Sequence, residues 1–119
     1  MTAEFTIYHN PKCSKSRKTL ELLRTAEIEP NIVEYLRNPP DAATLKDILT
    51  KLRISARELM RQKESTFTDL HLDDPSLNEE DLIAAMVDNP ILIERPIVVS
   101  DDQAVIGRPP ENIYSLLNV

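Results

Sequence analysis

The stretch that decides the fold is His9-Asn10-Pro11-Lys12-Cys13-Ser14-Lys15-Ser16-Arg17, which contains the only cysteine of the chain. The apolar run at 5–8 precedes it and predicts a β-strand, whereas 19–24 has the pattern of a helix. Cys13 is therefore predicted at a strand-to-helix turn. Free backbone N–H groups and the helix dipole meet at such a turn, and both favour a thiolate over a thiol.

Basic residues surround this cysteine. No acidic residue occurs from position 5 to 20, and four bases lie within seven residues: Lys12, Lys15, Arg17 and Lys18. A free cysteine is most often a small buried hydrophobe with apolar neighbours. The polar and basic neighbours of Cys13 instead indicate an exposed and reactive nucleophile.

The length of the chain predicts one small domain that is not stabilised by disulfide bonds. A chain of 119 residues can bury a core, and its single cysteine excludes an intrachain disulfide. No long apolar segment or signal pattern is present, so we expect a cytoplasmic location and no membrane contact. The net charge of −6 argues against nucleic-acid binding and favours a small anionic ligand at the local basic patch. We expect a monomer that holds no metal and no bound cofactor.

The first part of the chain predicts a β-α-β unit. Residues 31–36 alternate like a second strand, and the helix between makes the two strands parallel neighbours. Apolar residues at 45, 48, 49 and 52 then predict an amphipathic helix. Ser55 and Glu58 have the spacing of a capping box, which predicts a short helix ending at about Arg61.

The last part predicts a β-β-α unit. A helix opens at the acidic residues 79–81 and ends at Asn89-Pro90. Residues 91–99 form the most β-branched stretch, and 104–106 complete a hairpin with it. A closing helix then starts near the prolines at 109 and 110. Its predicted buried residues are Ile113, Leu116 and Leu117.

This order predicts an α/β fold of the thioredoxin/glutaredoxin-like class. The four-stranded mixed sheet joins the two halves, and a helical insertion at about 41–90 separates them within one domain, 1–119. The run from 64 to 94 holds nine acidic residues and no lysine or arginine. It is typical of a solvated helical surface, with a docking face for a basic partner as the alternative.

Four motifs resemble those of the glutaredoxin-coupled arsenate reductases, in the same order and with comparable spacing. They are His9-Asn10-Pro11-Lys12-Cys13 with Ser16-Arg17, then Leu59-Met60-Arg61, then Ile93-Glu94-Arg95-Pro96-Ile97-Val98-Val99, and finally Gly107-Arg108-Pro109. The resemblance covers nearly the whole chain and is closest to the branch with a Cys-Ser-Lys-Ser active-site motif. It implies that Cys13 attacks arsenate while Arg61, Arg95 and Arg108 hold the oxyanion. Arginine suits this role because its planar fork binds oxyanions through two N–H groups and stays protonated.

The resemblance also implies supporting residues. His9 would stabilise the thiolate as an imidazolium or would hydrogen-bond the turn, and the residues leave both roles open. Ser16 and Arg17 would belong to the anion pocket, and Pro96 resembles the cis-proline of thioredoxin-like folds.

Turnover requires a thiol from outside the chain, because no second cysteine can resolve an oxidised Cys13. The resemblance supplies glutathione as co-substrate and glutaredoxin as partner. The sequence departs from the usual pattern at Ser14, where these reductases have glycine. Two alternatives therefore stay open: a thiol-transferase acting on other thiol adducts, and an Spx-like regulator that binds RNA polymerase. Such regulators use a Cys-x-x-Cys switch, and this chain has Ser16 at the second position.

Overall fold

The computed structural model describes residues 4–117, so both ends of the predicted domain, 1–119, lie outside the described residues. The contacts divide the described chain into two compact units. The first contains residues 4–38 and 95–117, and the second contains residues 39–94. The predicted insertion at 41–90 falls inside the second unit, whereas the single domain stays a prediction.

The first unit is built on a four-stranded mixed sheet, which confirms the predicted fold class. Its strands are β1 (Phe5–His9), β2 (Asn31–Glu34), β3 (Ile97–Ser100) and β4 (Gln103–Ile106). Their spatial order is β2-β1-β3-β4. Strand β1 runs parallel to β2 and antiparallel to β3, and β4 is antiparallel to β3.

Helix α1 (Ser14–Thr25) covers one face of this sheet through a compact apolar core. Ile7 occupies the centre, since it pairs with Ile32 and Val98 on its two neighbouring strands and is fully buried. Leu20 and Leu23 pack from α1 into the same core. Full burial of an aliphatic side chain contributes about 1.5–3 kcal/mol, so this core holds the start of α1 firmly above the end of β1.

The strand predicted at 91–99 begins only at Ile97. Pro90–Leu92 forms a 3₁₀ helix instead, because proline fits the first helical position and has no N–H for a sheet. Ile93 is buried and forms an isolated bridge with Met60. Ile93 is therefore buried within the second unit, whereas Ile91 is exposed, and neither residue extends the sheet. The second strand is also shorter than predicted and ends at Glu34.

The predicted closing helix is present as a 3₁₀ helix, Pro110–Leu116. Ile113 and Leu116 are buried at a spacing of three residues, which matches the three residues per turn of this helix type. The Asn112 side chain donates to the carbonyls of Ile106 and Arg108. These bonds tie the start of the helix to the segment that precedes it.

The second unit is helical. It contains α2 (Ala42–Leu52), α3 (Ala56–Leu59), α4 (Ser65–Asp69) and α5 (Glu79–Asp88). The predicted capping box at Ser55 and Glu58 is present, but α3 ends at Leu59, two residues before the predicted end. It stops there because Met60 turns extended and the Arg61 N–H donates to the Leu92 carbonyl. No helix within residues 4–117 has the length and apolar character needed to span a membrane.

The only glycine of the chain lies where no side chain fits. A Cβ at Gly107 would stand 2.6 Å from Thr19 Oγ1 and 2.8 Å from Pro96 Cγ. Thr19 is fully buried, and the Pro96 ring is tied to its own backbone, so neither neighbour can move aside cheaply. The Gly107 N–H also donates to the Pro96 carbonyl at 2.9 Å, which holds the two segments together.

We expect Gly107→Ala to lower the free energy of unfolding by about 1–3 kcal/mol, the range for overpacking a filled site. Urea denaturation of the variant and the parent chain measures the difference. An Ala variant as stable as the parent would show that Thr19 and Pro96 have room to retreat.

Candidate active site

Cys13 is the N-cap of α1, as predicted. Its backbone is extended, its N–H donates to the Asn10 carbonyl at 3.0 Å, and its carbonyl accepts from the Arg17 N–H at 3.0 Å. The residue is partly exposed, and its sulfur makes no capping hydrogen bond to the helix. The N–H groups of the first helical turn have no partner within the helix, so they are available to donate to a ligand in the space beside the sulfur. An oxyanion in that space meets both donors and the positive end of the helix dipole.

Asn10 shapes the loop before the cysteine, and the sequence analysis missed it. Its Oδ1 accepts from the Lys12 N–H at 3.0 Å, and its own N–H donates to Ser16 Oγ at 3.0 Å. Asparagine often bonds a backbone N–H two residues ahead in this way. That habit is the signal that could have identified Asn10 as the residue that fixes the cysteine loop.

His9 is hydrogen-bonded to the turn. Its Nδ1 lies 2.6 Å from Ser16 Oγ, and both side chains are buried. Burial lowers the pKa of His9 below its ordinary value of 6.5; Glu34 raises it, and Arg24 and Arg17 lower it further. The lowered pKa favours the neutral imidazole, so of the two open roles the structure favours the hydrogen bond over the imidazolium.

The buried imidazole makes the stability of the protein depend on pH. Because the folded-state pKa of His9 lies below 6.5, the unfolded chain binds a proton at a higher pH than the folded chain does. The free energy of unfolding should therefore fall as the pH drops from about 7.5 to about 5.5. Urea denaturation at several pH values measures this fall. In His9→Asn, whose amide can still bond Ser16 but does not titrate, the fall should be smaller. An equal fall in both proteins would assign it to other groups.

Arg108 reaches the sulfur from the other end of the chain. Its Nη1 lies 3.9 Å from Cys13 Sγ and 3.4 Å from the Arg95 carbonyl, to which it donates. The bond between the Gly107 N–H and the Pro96 carbonyl places this arginine beside the 95–96 segment. The structure thus brings Cys13, Arg108 and the Arg95 backbone together. A guanidinium at this distance stabilises a thiolate and would also attract an anion bound to it.

Two cis peptide bonds flank this region. The Arg95–Pro96 bond is cis, as the resemblance implies, and the Arg108–Pro109 bond is also cis, which the sequence analysis did not predict.

Arg17 has a different position from that of Arg108. Its guanidinium is exposed and donates from Nη1 to the Pro11 carbonyl at 3.0 Å. It therefore braces the outer side of the cysteine loop. Its place in the anion pocket stays a prediction.

Arg61 belongs to the second unit and is held there by two carboxylates. Its Nε lies 3.1 Å from Glu64 Oε1 and its Nη1 lies 3.1 Å from Glu94 Oε1. The arginine is only 21% exposed, so this ion pair is fixed rather than a loose surface contact. Binding of an oxyanion by Arg61 stays a prediction. Among the described residues, no three His, Cys, Asp or Glu side chains cluster as a metal site would require.

Comparisons with known proteins agree on one family. Residues 8–116 match the ArsC family. The chain is 58% identical over 118 residues to the uncharacterized protein YfgD of Escherichia coli K12, covering 98% of this chain and 99% of that protein. It is 48% identical to an arsenate reductase of Neisseria meningitidis serogroup A, covering 96% and 98% of the two chains. Among solved structures, an arsenate reductase from Vibrio cholerae superposes with a TM-score of 0.94 at 45% identity, covering 97% of this chain and 98% of that one.

Proposed function

The chain belongs to the ArsC family, and from this premise we propose that it is an arsenate reductase that depends on glutathione and glutaredoxin. The observation that carries the proposal is the position of the Arg108 guanidinium, 3.9 Å from a thiol at the start of α1. A thiolate and a multiply charged oxyanion repel each other. Fixed positive charge and backbone donors aimed at the same space remove that obstacle.

The reaction begins with arsenic–sulfur bond formation. The Cys13 thiolate attacks the arsenic of arsenate, and one arsenate oxygen leaves as water after protonation. The N–H groups at the start of α1 and the Arg108 fork stabilise the charge on the remaining oxygens. The thiol of glutathione then attacks the arsenic, and a second oxygen leaves as water. Arsenic is still in its +5 state and now bridges two sulfurs.

Reduction occurs when glutaredoxin attacks. Its thiolate bonds to the glutathione sulfur, the arsenic–sulfur bond to glutathione breaks, and the electron pair of that bond stays on arsenic. Arsenic is thereby reduced from the +5 to the +3 state, and the mixed disulfide of glutaredoxin and glutathione carries the matching oxidation. Water then displaces Cys13, which releases arsenite and restores the thiolate. A reducing compartment such as the cytoplasm supplies both thiols.

Arginine also suits the remaining positions of the clamp, because its planar fork binds an oxyanion through two N–H groups. Arg95 contributes its carbonyl to the placement of Arg108, and its cis bond to Pro96 lies at the same segment. We assign Arg95 and Arg108 to the oxyanion clamp, with Arg61 as its third member. This assignment requires that a bound oxyanion compete with Glu64 and Glu94 for Arg61.

A coupled assay tests the proposal. Arsenate, glutathione, glutaredoxin, glutathione reductase and NADPH are mixed with the protein, and NADPH oxidation is followed by absorbance. We expect oxidation that requires each component, with omission of arsenate or of glutaredoxin giving the background rate. Reduction of a small glutathione mixed disulfide with no arsenate-dependent oxidation would instead identify a thiol-transferase. Ser14, which stands where these reductases have glycine, is the feature that makes this second outcome worth measuring.

A further inference from the structure

Three exposed cations flank Cys13, one in the loop before it and two in the first residues of α1, and no carboxylate of the described residues pairs with them. Lys12, Lys15 and Arg17 are all exposed, and none forms an ion pair within residues 4–117. Other bases of the chain do have carboxylate partners within that range, as Lys46 does in Glu80 and Lys51 in Asp47. Like charges repel one another, so ion pairing within the described chain does not account for these three cations. On a chain of net charge −6, its positive field is local to the thiol.

All three side chains are exposed to solvent, and the Arg17 guanidinium donates to the Pro11 carbonyl. Because they lie within four residues of Cys13 in the sequence, a protein that reaches the cysteine comes close to their charges. Arg17 also lines a groove of about 610 Å³ that begins at Pro11 and continues along α1 to Thr25, with Glu21 and Arg24 as its other charged residues. This concave surface next to the loop is one on which part of a partner protein can bind.

We propose that Lys12, Lys15 and Arg17 form the docking surface for the protein thiol donor, and that this donor presents carboxylates around its own cysteine. The inference rests on the proposed function, because it takes from it the need for a protein thiol to reach the glutathione that arsenic links to Cys13. Complementary charge of this kind acts mainly on the association rate, which it raises by about 10- to 1,000-fold at low salt. An acidic partner therefore associates with the protein faster than a neutral thiol of equal intrinsic reactivity does.

Thiol–disulfide exchange tests this without arsenate, so its failure is distinct from failure of the proposed function. Cys13 is first converted to its mixed disulfide with pyridine-2-thiol, a label without charge. An incoming thiolate bonds to the Cys13 sulfur, the bond to the label breaks, and the pyridine-2-thiolate leaves with the electron pair, takes up a proton and absorbs as the thione. The second-order rate constant is expressed per thiolate, because neighbouring carboxylates raise the pKa of a thiol.

Two capped peptides serve as the thiol donors: Glu-Glu-Cys-Glu-Glu and Gln-Gln-Cys-Gln-Gln. At low ionic strength we expect the acidic peptide to react about tenfold faster than the neutral one. At about 1 M salt, where the screening length is about 3 Å, the two should agree within about twofold. The ratio of the two rates cancels any change in the intrinsic reactivity of the sulfur.

Matched double variants locate the effect. Lys12→Gln with Lys15→Gln should reduce the acidic-to-neutral ratio about threefold or more at low salt. Lys46→Gln with Lys63→Gln removes the same two charges from the second unit and should leave the ratio as it is in the parent chain. Glutaredoxin, used in place of the peptides, should show the same salt dependence.

Three outcomes would overturn the proposal. Equal rates for the two peptides at low salt would show that the cations do not select the partner. An equal loss in both double variants would assign the effect to net charge alone. A dimer that forms at low salt and lowers the acidic peptide's rate as protein concentration rises would show that the acidic run of a second copy occupies the surface.

Discussion

Replacing Cys13 with serine should reduce arsenate-dependent NADPH oxidation in the coupled assay by at least about a thousandfold. A serine hydroxyl is not ionised near neutral pH, so no nucleophile remains to form the arsenic–sulfur bond. The chain has no second cysteine that could replace it. This is the largest effect that we expect from any single substitution.

The control for this variant is a measurement of its stability to urea. The Cys13 side chain is partly exposed and its contact with Arg108 is long, so Cys13→Ser should unfold at nearly the same urea concentration as the parent chain. Activity retained by a stable serine variant would exclude covalent chemistry at position 13. Activity lost together with the fold would say nothing about chemistry, and Cys13→Ala would then repeat the measurement.

Replacing Arg108 with lysine should lower kcat/KM for arsenate about ten- to a hundredfold. A hydrogen bond to a charged group is worth about 1.5–3 kcal/mol, and lysine keeps the positive charge but loses the planar fork that makes two such bonds at once. Arg95→Lys should show a loss of the same kind. Initial rates at a series of arsenate concentrations measure both constants.

Alkylation of Cys13 by iodoacetamide separates binding of the oxyanion from activation of the thiol. Because charge remains near the sulfur and the start of α1 is unchanged, Arg108→Lys should be alkylated at nearly the parent rate. Arg37→Lys provides the matched control, since Arg37 is exposed and belongs to the same unit. Full turnover in Arg108→Lys would remove this arginine from the clamp and favour the thiol-transferase.

The sequence predicts the fold well where local patterns and long-range packing agree. The residues of α1 and β1 carry a clear change of period around Cys13, and Ser55 and Glu58 form the capping box that their spacing indicates. The prediction of a strand is wrong at Ile91 and Ile93, although their β-branched side chains suit one. Pro90 begins a 3₁₀ helix that includes Ile91, and Ile93 forms an isolated bridge with Met60. Helix α4 has no side-chain cap and spans only Ser65–Asp69, so it is too short to show a helical period in the sequence.

The site could be predicted in part for the same reason. The place of Cys13 follows from local sequence, and the choice of Arg108 follows from the resemblance. The lowered pKa of His9 could not be predicted, because it results from burial that only the packed structure reveals. The ion pair of Arg61 with Glu64 could be anticipated, because Glu64 follows Arg61 by three residues. The ion pair with Glu94 could not, because only the fold brings Glu94 to Arg61.

The division of the chain into a continuous unit and an interrupted one bears on the order of folding. Residues 39–94 are contiguous, whereas the first unit must join its two segments across them. Pairing of β1 with β3 therefore closes the longest loop of the sheet, a step that costs chain entropy before it gains contacts. Cys13 and Arg108 are 95 residues apart and meet only once that loop has closed. During synthesis on the ribosome the thiol consequently exists well before its arginine does.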